Sequence, residues 1–330
     1  MGPLVSLGKD LIPRPGLAHD LSAHRTVVAL LDAACLPGLP ERLESREIPA
    51  LSLFQGDLAT QLRDVAPYLV QMETGGALMR DFINDADLPW AMWKKRPGIL
   101  ILGNLDLAAL QKHFRRLLRV RAEDSTFFFR FWEQASALAY FDALATSADR
   151  GRWFYPREGG QIDALLVPDA KADALRVFAA GGPRPEARPW ESRPFSLAPP
   201  ELAALRNTRV HDNIQQMVAL MIRTFPDRVA SLPPGQLEKQ VRRSVSRAAD
   251  FGIRQRSNAF RIAAWDLHSD DVFETVDPAG RLRQILHADL LEEDKMRLLT
   301  ERLAQLGPDR KSGSAGMPRP MLSSRMPSSA

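Results

Sequence analysis

A proline-rich stretch in the second half of the chain sets the strongest limit on how the chain can fold. Residues 181–200 hold six prolines, each of which fixes φ and lacks an amide hydrogen. Such a stretch can form neither the interior of a helix nor a central strand. We therefore expect it to connect two lobes, because the spacing of apolar residues also differs on its two sides.

Before this stretch, short apolar and β-branched runs alternate with helical patterns. The clearest helix covers residues 105–118, whose leucines and Phe114 fall on one stripe. A hairpin at residues 120–131 makes the predicted sheet mixed rather than purely parallel. Five runs predict strands at residues 26–31, 50–54, 67–72, 98–102 and 161–167, with 153–155 as a candidate partner of the last. The pattern predicts an α/β (α+β) lobe, a mixed β-sheet flanked by helices.

After the stretch, apolar residues recur at helical spacing, which predicts an all-α C-terminal lobe. Both ends of the chain lack such periodicity. The predicted organisation is a flexible leader at residues 1–22, an α/β domain at 23–180, a proline-rich connector at 181–200, a helical domain at 201–309 and a disordered tail at 310–330.

Composition and charge favour a soluble protein of a reducing compartment. A net charge of +4 and a pI near 9.4 permit acidic partners without requiring nucleic acid. Cys35 is the one cysteine, and its apolar surroundings favour a small buried side chain over a nucleophile. Lys9 and Asp10 interrupt any secretion signal, and no apolar run is long enough to span a membrane. We expect a cytoplasmic protein with no membrane contact.

The sequence carries no recognised catalytic or cofactor-binding motif. It lacks glycine-rich phosphate loops, the His-Glu-x-x-His metal motif, paired cysteines and the Gly-x-Ser-x-Gly nucleophile turn. His268 lies among carboxylates at residues 266–271, but helix capping explains this cluster better than metal binding, since no fourth ligand is visible. We therefore predict a protein that is not an enzyme, with no catalytic residue, no cofactor and no metal.

Six residues are predicted to contact a partner protein. Four basic residues recur at positions i, i+3, i+4 and i+7 of the predicted helix, opposite its apolar stripe. They could dock an acidic surface, although an ordinary solvated face is the plainer interpretation. Two tryptophans precede a buried strand, where they either anchor an interface or pack a sheet edge. The six are Lys112, Arg115, Arg116, Arg119, Trp90 and Trp93.

Arg130 is a separate case on the predicted hairpin. It alternates with Phe129 and Phe131, which are expected to line the core of the sheet. Arg130 then faces the other side, where an acidic partner residue is expected.

Short motifs follow one another in a fixed order between residues 30 and 132. They are LLDAA at 30–34, SLFQGD at 52–57, VAPYLV at 65–70, LPWAMW at 88–93, HFRRLLRVR at 113–121 and FRFW at 129–132. Together they resemble domain-of-unknown-function family 4123, whose characterised members are adaptors, or effector chaperones, of bacterial type VI secretion. Two loops depart from the family pattern, at residues 103–104 and 132–134, and neither change affects the expected fold.

The resemblance implies a protein that binds other proteins and performs no catalysis. An adaptor would bind a cognate toxic effector and promote its loading onto the VgrG spike protein, with one lobe for each partner. A basic nucleic-acid-binding protein is the alternative, and it predicts binding that falls steeply with salt. A third interpretation, a hydrolase built from scattered carboxylates, would need a pocket of convergent groups.

Overall fold

The computed structural model describes residues 11–14, 17, 21, 26–122, 125–144, 150–180, 186, 188, 191–269 and 272–306. The chain divides into two compact units, Met1–Arg209 and Val210–Ala330. We call them the sheet unit and the helical unit. The predicted tail at 310–330, most of the predicted leader at 1–22 and most of 181–190 lie outside the described residues.

Nine strands are described in the sheet unit. They are β1 (Leu11–Pro13), β2 (Val27–Asp32), β3 (Ala50–Ser52), β4 (Pro67–Met72), β5 (Gly98–Gly103), β6 (Arg119–Ala122), β7 (Ser125–Phe128), β8 (Ile162–Asp169) and β9 (Ala174–Ala179). Seven of them form one sheet in the order β1-β9-β8-β5-β2-β4-β3, and each neighbouring pair is antiparallel. The other two, β6 and β7, pair as a separate hairpin.

The core of the sheet unit lies on both faces of β2. All six residues of β2 are buried, as its continuous apolar run predicts for a central strand. Successive side chains point to opposite faces, so Val28 and Leu30 join one apolar cluster while Ala29 and Leu31 join the other. The position of β2 therefore fixes where its last residue, Asp32, emerges at the end of the sheet.

Six helices are described before the proline-rich stretch. They are α1 (Leu39–Ser45), α2 (Asp57–Gln61), α3 (Ala77–Ile83), α4 (Leu107–Arg115), α5 (Gln134–Leu144) and α6 (Gly151–Phe154). Buried residues of α4, α5 and α6 pack in the cluster that contains Val28 and Leu30. Buried residues of α1 and α3 pack in the cluster on the opposite face.

Gly98 permits the close approach of β5 to β2. Its φ is +142°, a conformation that residues with a side chain rarely adopt, and an added Cβ would lie 1.9 Å from the carbonyl oxygen of Leu30. Only glycine fits at this position, at the end of β2 that carries Asp32.

The predicted fold class is confirmed, with corrections to individual elements. The predicted hairpin forms its own two-stranded sheet, so it does not make the large sheet mixed. Residues 153–155 were expected to pair with β8, but β8 pairs with β5 and β9, and residues 151–154 form α6. Two strands were not predicted: β9, and β1, which lies within the predicted leader.

The helical unit is built from the apolar stripes that the sequence shows. Its helices are α7 (Pro199–Thr224), which contains the division between the units, α8 (Pro226–Ala230), α9 (Gln236–Asp250), α10 (Arg256–Leu267), α11 (Arg281–His287) and α12 (Glu292–Gln305). Met217, Val241 and Leu299 are buried together in one cluster. Val210, seven residues before Met217 in the same helix, is exposed. Among the described residues, no helix combines the length and apolar character that crossing a membrane requires.

Candidate functional site

Residues from the first and last motifs of the series meet around one buried carboxylate. Asp32 Oδ2 accepts hydrogen bonds from Arg130 Nη2 at 2.6 Å and from Trp132 Nε1 at 2.9 Å. Its Oδ1 accepts from the Ala34 amide at 3.0 Å and so caps the turn that follows β2. These three residues, Asp32, Arg130 and Trp132, are the Asp32 cluster. The acidic partner expected for Arg130 is confirmed, and it lies about 100 residues earlier in the chain.

In the Asp32 cluster, the carboxylate is buried and the arginine is half exposed to solvent. The Asp32 side chain is 5% exposed, whereas that of Arg130 is 50% exposed. A buried carboxylate needs the hydrogen bonds that surround it, because an unpaired charge is costly to desolvate. The guanidinium of Arg130 therefore presents a fixed positive charge at the surface.

Aromatic rings connect this cluster to the SLFQGD motif. The Phe128 ring lies 5.9 Å from that of Trp132 in an edge-to-face arrangement, and 5.8 Å from that of Phe54. Phe128 is 45% exposed, although it sits between these two partners. Residues from three separate motifs, Asp32, Phe54 and Trp132, thus support one exposed ring.

An exposed run of apolar side chains follows Phe54. Leu58, Leu62 and Val65 are 55%, 38% and 49% exposed, respectively. The Leu62 amide donates to the Leu58 carbonyl, and the Val65 amide donates to the Leu62 carbonyl, so the three residues follow one another along consecutive helical turns. We call these three residues the apolar stripe. Exposed apolar groups that recur on one side of a segment are typical of a protein-binding surface.

Cys35 lies in the turn that Asp32 caps. It is partly buried, and burial raises the pKa of its thiol, as does the negative charge of Asp32. A raised thiol pKa lowers the fraction of reactive thiolate at neutral pH. This environment supports the expectation that Cys35 is not a nucleophile.

The predicted basic helix face is only partly formed. Helix α4 ends at Arg115, so Arg119 begins β6 and does not continue the helical spacing. Glu158 binds two of the four cations: its carboxylate accepts from Arg116 at 3.0 Å and lies 3.2 Å from Lys112 Nζ. These contacts, with the hydrogen bond from Arg116 as the largest, lower the pKa of Glu158 to about 2. Arg115 and Arg119 are exposed and form no ion pair with any described residue.

His113, on the opposite side of α4, is part of the core. Its Nε2 lies 3.2 Å from the Trp153 carbonyl oxygen, so the neutral ring donates to it from Nε2, and it packs against Phe114. Burial lowers its pKa to about 4. His113 is therefore neutral at pH 7 and ties α4 to α6.

The two tryptophans predicted as partner contacts occupy different environments. Trp93 is buried, packs edge-to-face on Phe82 and carries the Arg14 guanidinium over its ring. Trp90 is 47% exposed. Of the pair, only Trp90 presents a large apolar area to a partner.

The described carboxylate before His268 forms hydrogen bonds and an ion pair within the fold. Asp266 is buried, and it accepts hydrogen bonds from Ser244 Oγ at 2.6 Å and from the Phe273 amide at 2.9 Å. It also lies 3.3 Å from Arg247, which binds Glu274 as well. Residues 270 and 271 lie outside the described part of the chain. Within that part, no three His, Cys, Asp or Glu side chains come together as metal ligands.

Comparison with protein families identifies the motif-bearing segment. Residues 28–149 match the family described as "Domain of unknown function (DUF4123)". This match covers less than half of the chain, and we call residues 28–149 the DUF4123 segment. Neither a curated protein nor a solved structure matches the chain. The DUF4123 segment extends from β2 to just beyond α5, so it contains the whole Asp32 cluster and the apolar stripe.

The sequence of the DUF4123 segment predicted one of these contacts but did not predict the apolar stripe. The alternation at residues 129–131 pointed to an acidic partner for Arg130, and LLDAA contains that partner. The apolar stripe was missed, since Leu58 and Leu62 lie between SLFQGD and VAPYLV and Val65 begins the second motif, without forming a recognised helix pattern. Their spacing of four and three residues was the available signal.

Proposed function

We propose that this chain is an adaptor, or effector chaperone, of bacterial type VI secretion. It binds a cognate toxic effector and promotes the loading of that effector onto the VgrG spike protein by protein–protein contacts, without catalysis. The match of residues 28–149 to DUF4123 and the motif series support this role, because the characterised members of the resembled family are such adaptors. One unit would bind the spike and the other the effector.

The convergence of motif residues beneath an exposed surface is the observation that carries this proposal. Asp32 and Trp132 are buried and hold Phe128 and Arg130, which are exposed. The apolar stripe lies along the chain after Phe54, which packs on Phe128. A charged group fixed beside apolar side chains suits recognition of a protein surface, where the apolar contact stabilises the complex and the charge selects the partner.

Co-purification tests the proposal directly. The full chain, tagged, would be co-expressed with a VgrG spike and an effector taken from the neighbouring genes. We expect a complex that survives moderate salt and in which the effector requires this chain to reach the spike. Failure to bind either protein, together with salt-sensitive retention on nucleic acid, would contradict the proposal and favour a nucleic-acid-binding protein.

A matched pair of variants tests the surface. Leu58→Asp places a charge in the apolar stripe, whereas Thr60→Asp adds the same charge to the exposed side of the same helix and removes no large apolar group. We expect Leu58→Asp to lose one of the two partners while Thr60→Asp keeps both, with unchanged far-UV circular dichroism in each. Equal binding by the two variants would exclude the apolar stripe as the docking surface.

A further inference from the structure

The loop between α3 and β5 presents apolar and basic side chains to solvent. Leu88 and Trp90 are 38% and 47% exposed, so each leaves a large part of its side chain in water. Three cations follow in the same loop, of which Lys94 and Arg96 are exposed and Lys95 is partly buried. We call these five residues, Leu88, Trp90, Lys94, Lys95 and Arg96, the Trp90 surface.

Hydrogen bonds to backbone carbonyls fix the path of this loop. The Met92 amide donates to the carbonyl of Asp81 in α3 at 2.9 Å, and the Met92 side chain is buried. Lys95 Nζ donates to the Pro89 carbonyl, so the charge of Lys95 lies beside the backbone that carries Trp90. A surface that is already ordered loses little conformational entropy when it binds, and this favours binding through the loop as it stands.

The described residues do not neutralise the cations of the Trp90 surface. Lys94 and Arg96 form no ion pair with any of them, and the group that Lys95 binds is a neutral carbonyl. A hydrogen bond to a carbonyl orients an ammonium group without removing its charge. All three positive charges are therefore available to a partner.

The carboxylates that precede these cations in the chain leave most of this charge in place. Asp81 binds two arginines outside the Trp90 surface, and Asp85 binds Arg14 at 3.1 Å. Asp87 is exposed and forms neither a hydrogen bond nor an ion pair through its side chain with any described residue. One free carboxylate can offset one of the three cations at most, so this stretch of the chain attracts negative charge.

The composition of the Trp90 surface favours a protein partner over a membrane or a nucleic acid. Protein-binding hot spots are enriched in tryptophan and arginine, and both are present. Attraction to an anionic membrane uses clusters of about four to eight Lys or Arg, whereas this surface has three. Single-stranded nucleic acids stack successive bases on several rings, whereas this surface has one. An acidic protein segment that also carries an apolar residue matches it best.

We infer that the Trp90 surface binds an acidic segment of a protein partner. An apolar residue of that segment contacts Leu88 and Trp90, and its carboxylates bind Lys94 and Arg96. In the proposed adaptor this segment belongs to the spike or the effector, and to that extent the inference rests on the proposed function. The Trp90 surface shares no residue with the Asp32 cluster or the apolar stripe, so it gives the sheet unit a further contact surface of different chemistry.

Peptide binding to the full chain tests the inference. The probe is a fluorescein-labelled peptide, Ser-Asp-Glu-Leu-Phe-Asp-Glu-Ser, followed by fluorescence anisotropy. Two control peptides replace either the four acidic residues by their amides or Leu-Phe by Ser-Ser. We expect each control to bind about tenfold more weakly than the probe, since one loses the charge and the other loses the apolar contact.

Variants of the full chain show where the peptide binds. Trp90→Ala and the double variant Lys94→Gln, Arg96→Asn should each bind the probe about tenfold more weakly than the wild type. Asparagine suits position 96, whose φ of +55° lies in the left-handed region, so this change removes the charge without straining the backbone. Arg243→Gln and Leu291→Ala remove an exposed cation and an exposed apolar group from the helical unit, and should bind as the wild type does.

A variant that gains affinity guards against loss by misfolding. Asp87→Asn removes the free carboxylate that precedes the Trp90 surface, so it should bind the probe about threefold more tightly. Equal affinity for the probe and its amide version, or equal binding by Trp90→Ala and Leu291→Ala, would overturn the inference. So would a Trp90-dependent affinity for phosphatidylserine vesicles or single-stranded DNA that exceeds the affinity for the probe.

The two proposals fail in different ways. Peptide binding without any complex with spike or effector would contradict the adaptor proposal and leave the Trp90 surface as a site for acidic segments. A spike–effector complex formed by a chain that does not prefer the acidic peptide would overturn the inference and leave the adaptor proposal standing.

Discussion

The two units of the chain use buried carboxylates in different ways. In the helical unit, Asp277 is fully buried and its partner Arg302 is only 17% exposed. In the sheet unit, Asp32 is nearly as buried, yet its partner Arg130 is 50% exposed. An ion pair that is buried on both sides joins elements of the fold, whereas a half-exposed pair also presents a charge outside. Of these two pairs, the one in the helical unit therefore keeps both charges away from solvent, and the one in the sheet unit leaves its cation accessible.

Removing Asp266 should have the largest effect on the free energy of unfolding, because its hydrogen-bond partners all lie within the helical unit. Asp266→Ala leaves Ser244 and the Phe273 amide without their acceptor and removes one of the two carboxylates that bind Arg247. We expect a loss of about 4 kcal/mol in the free energy of unfolding, as for other buried pairs that lose one partner. Urea unfolding followed by circular dichroism at 222 nm measures it.

Asp294→Ala is the control for this prediction. Asp294 is 48% exposed and pairs with Arg297 within one helical turn. Its loss should cost less than about 1 kcal/mol, because exposed ion pairs contribute little. Similar losses for the two variants would remove the distinction between buried and exposed charges in this unit.

Removing Asp32 should lower the free energy of unfolding by less, because water can replace the carboxylate as a hydrogen-bond partner of the exposed Arg130. Asp32→Ala leaves the buried Trp132 indole and the Ala34 amide unpaired, but Arg130 can turn to water. We expect a loss of about 3 kcal/mol, and Asp32→Asn should restore more than half of it by keeping an acceptor. Tryptophan fluorescence is a suitable probe, since five of the six tryptophans precede residue 210.

Asp142→Ala provides the reference for Asp32 within the same unit. Asp142 also binds an arginine, Arg176, but it is 45% exposed. Were Asp32→Ala no more destabilising than Asp142→Ala, the Asp32 cluster would not be the support that its geometry indicates.

The titration of His113 should have the smallest effect on the free energy of unfolding, and this effect depends on pH. Its pKa is lowered from 6.5 to about 4, so between these values the unfolded chain binds a proton that the folded chain does not. Stability that is complete above pH 6.5 therefore falls as the pH decreases, by about 2 kcal/mol between pH 7 and pH 5. His113→Gln keeps a donor for the Trp153 carbonyl and removes the titration.

The measurement compares wild type and His113→Gln in urea at both pH values. The stability difference between the two proteins should shrink by the same 2 kcal/mol on acidification. A constant difference would mean that the ring of His113 is already protonated in the fold or accessible to water.

Local sequence patterns predicted the central strands well, because each is a continuous apolar run. β2, β4 and β5 lie within a residue or so of their predicted bounds. β9 was missed, since Arg176 interrupts its apolar residues. Residues 153–155 have the aromatic content of a strand, but Trp153 is instead held in a helical turn by the core around it.

The site was less predictable, because its contacts join residues far apart in sequence. Local alternation could indicate that Arg130 needs an acidic partner, but only the strand order places Asp32 there. Helical spacing grouped Lys112 with Arg116, yet the carboxylate that binds both comes from Glu158, after four further elements of structure.

The pairing of β1 with β9 has a consequence for synthesis. Ile12 faces Leu175, so the earliest strand of the described sheet pairs with the last strand of that sheet to be made. Until β9 emerges, the nascent chain holds β1 unpaired and leaves an edge of β8 open, which are the features that promote aggregation. The sheet can therefore be completed only after translation has passed the whole DUF4123 segment, and a chain interrupted earlier keeps open strand edges that promote aggregation.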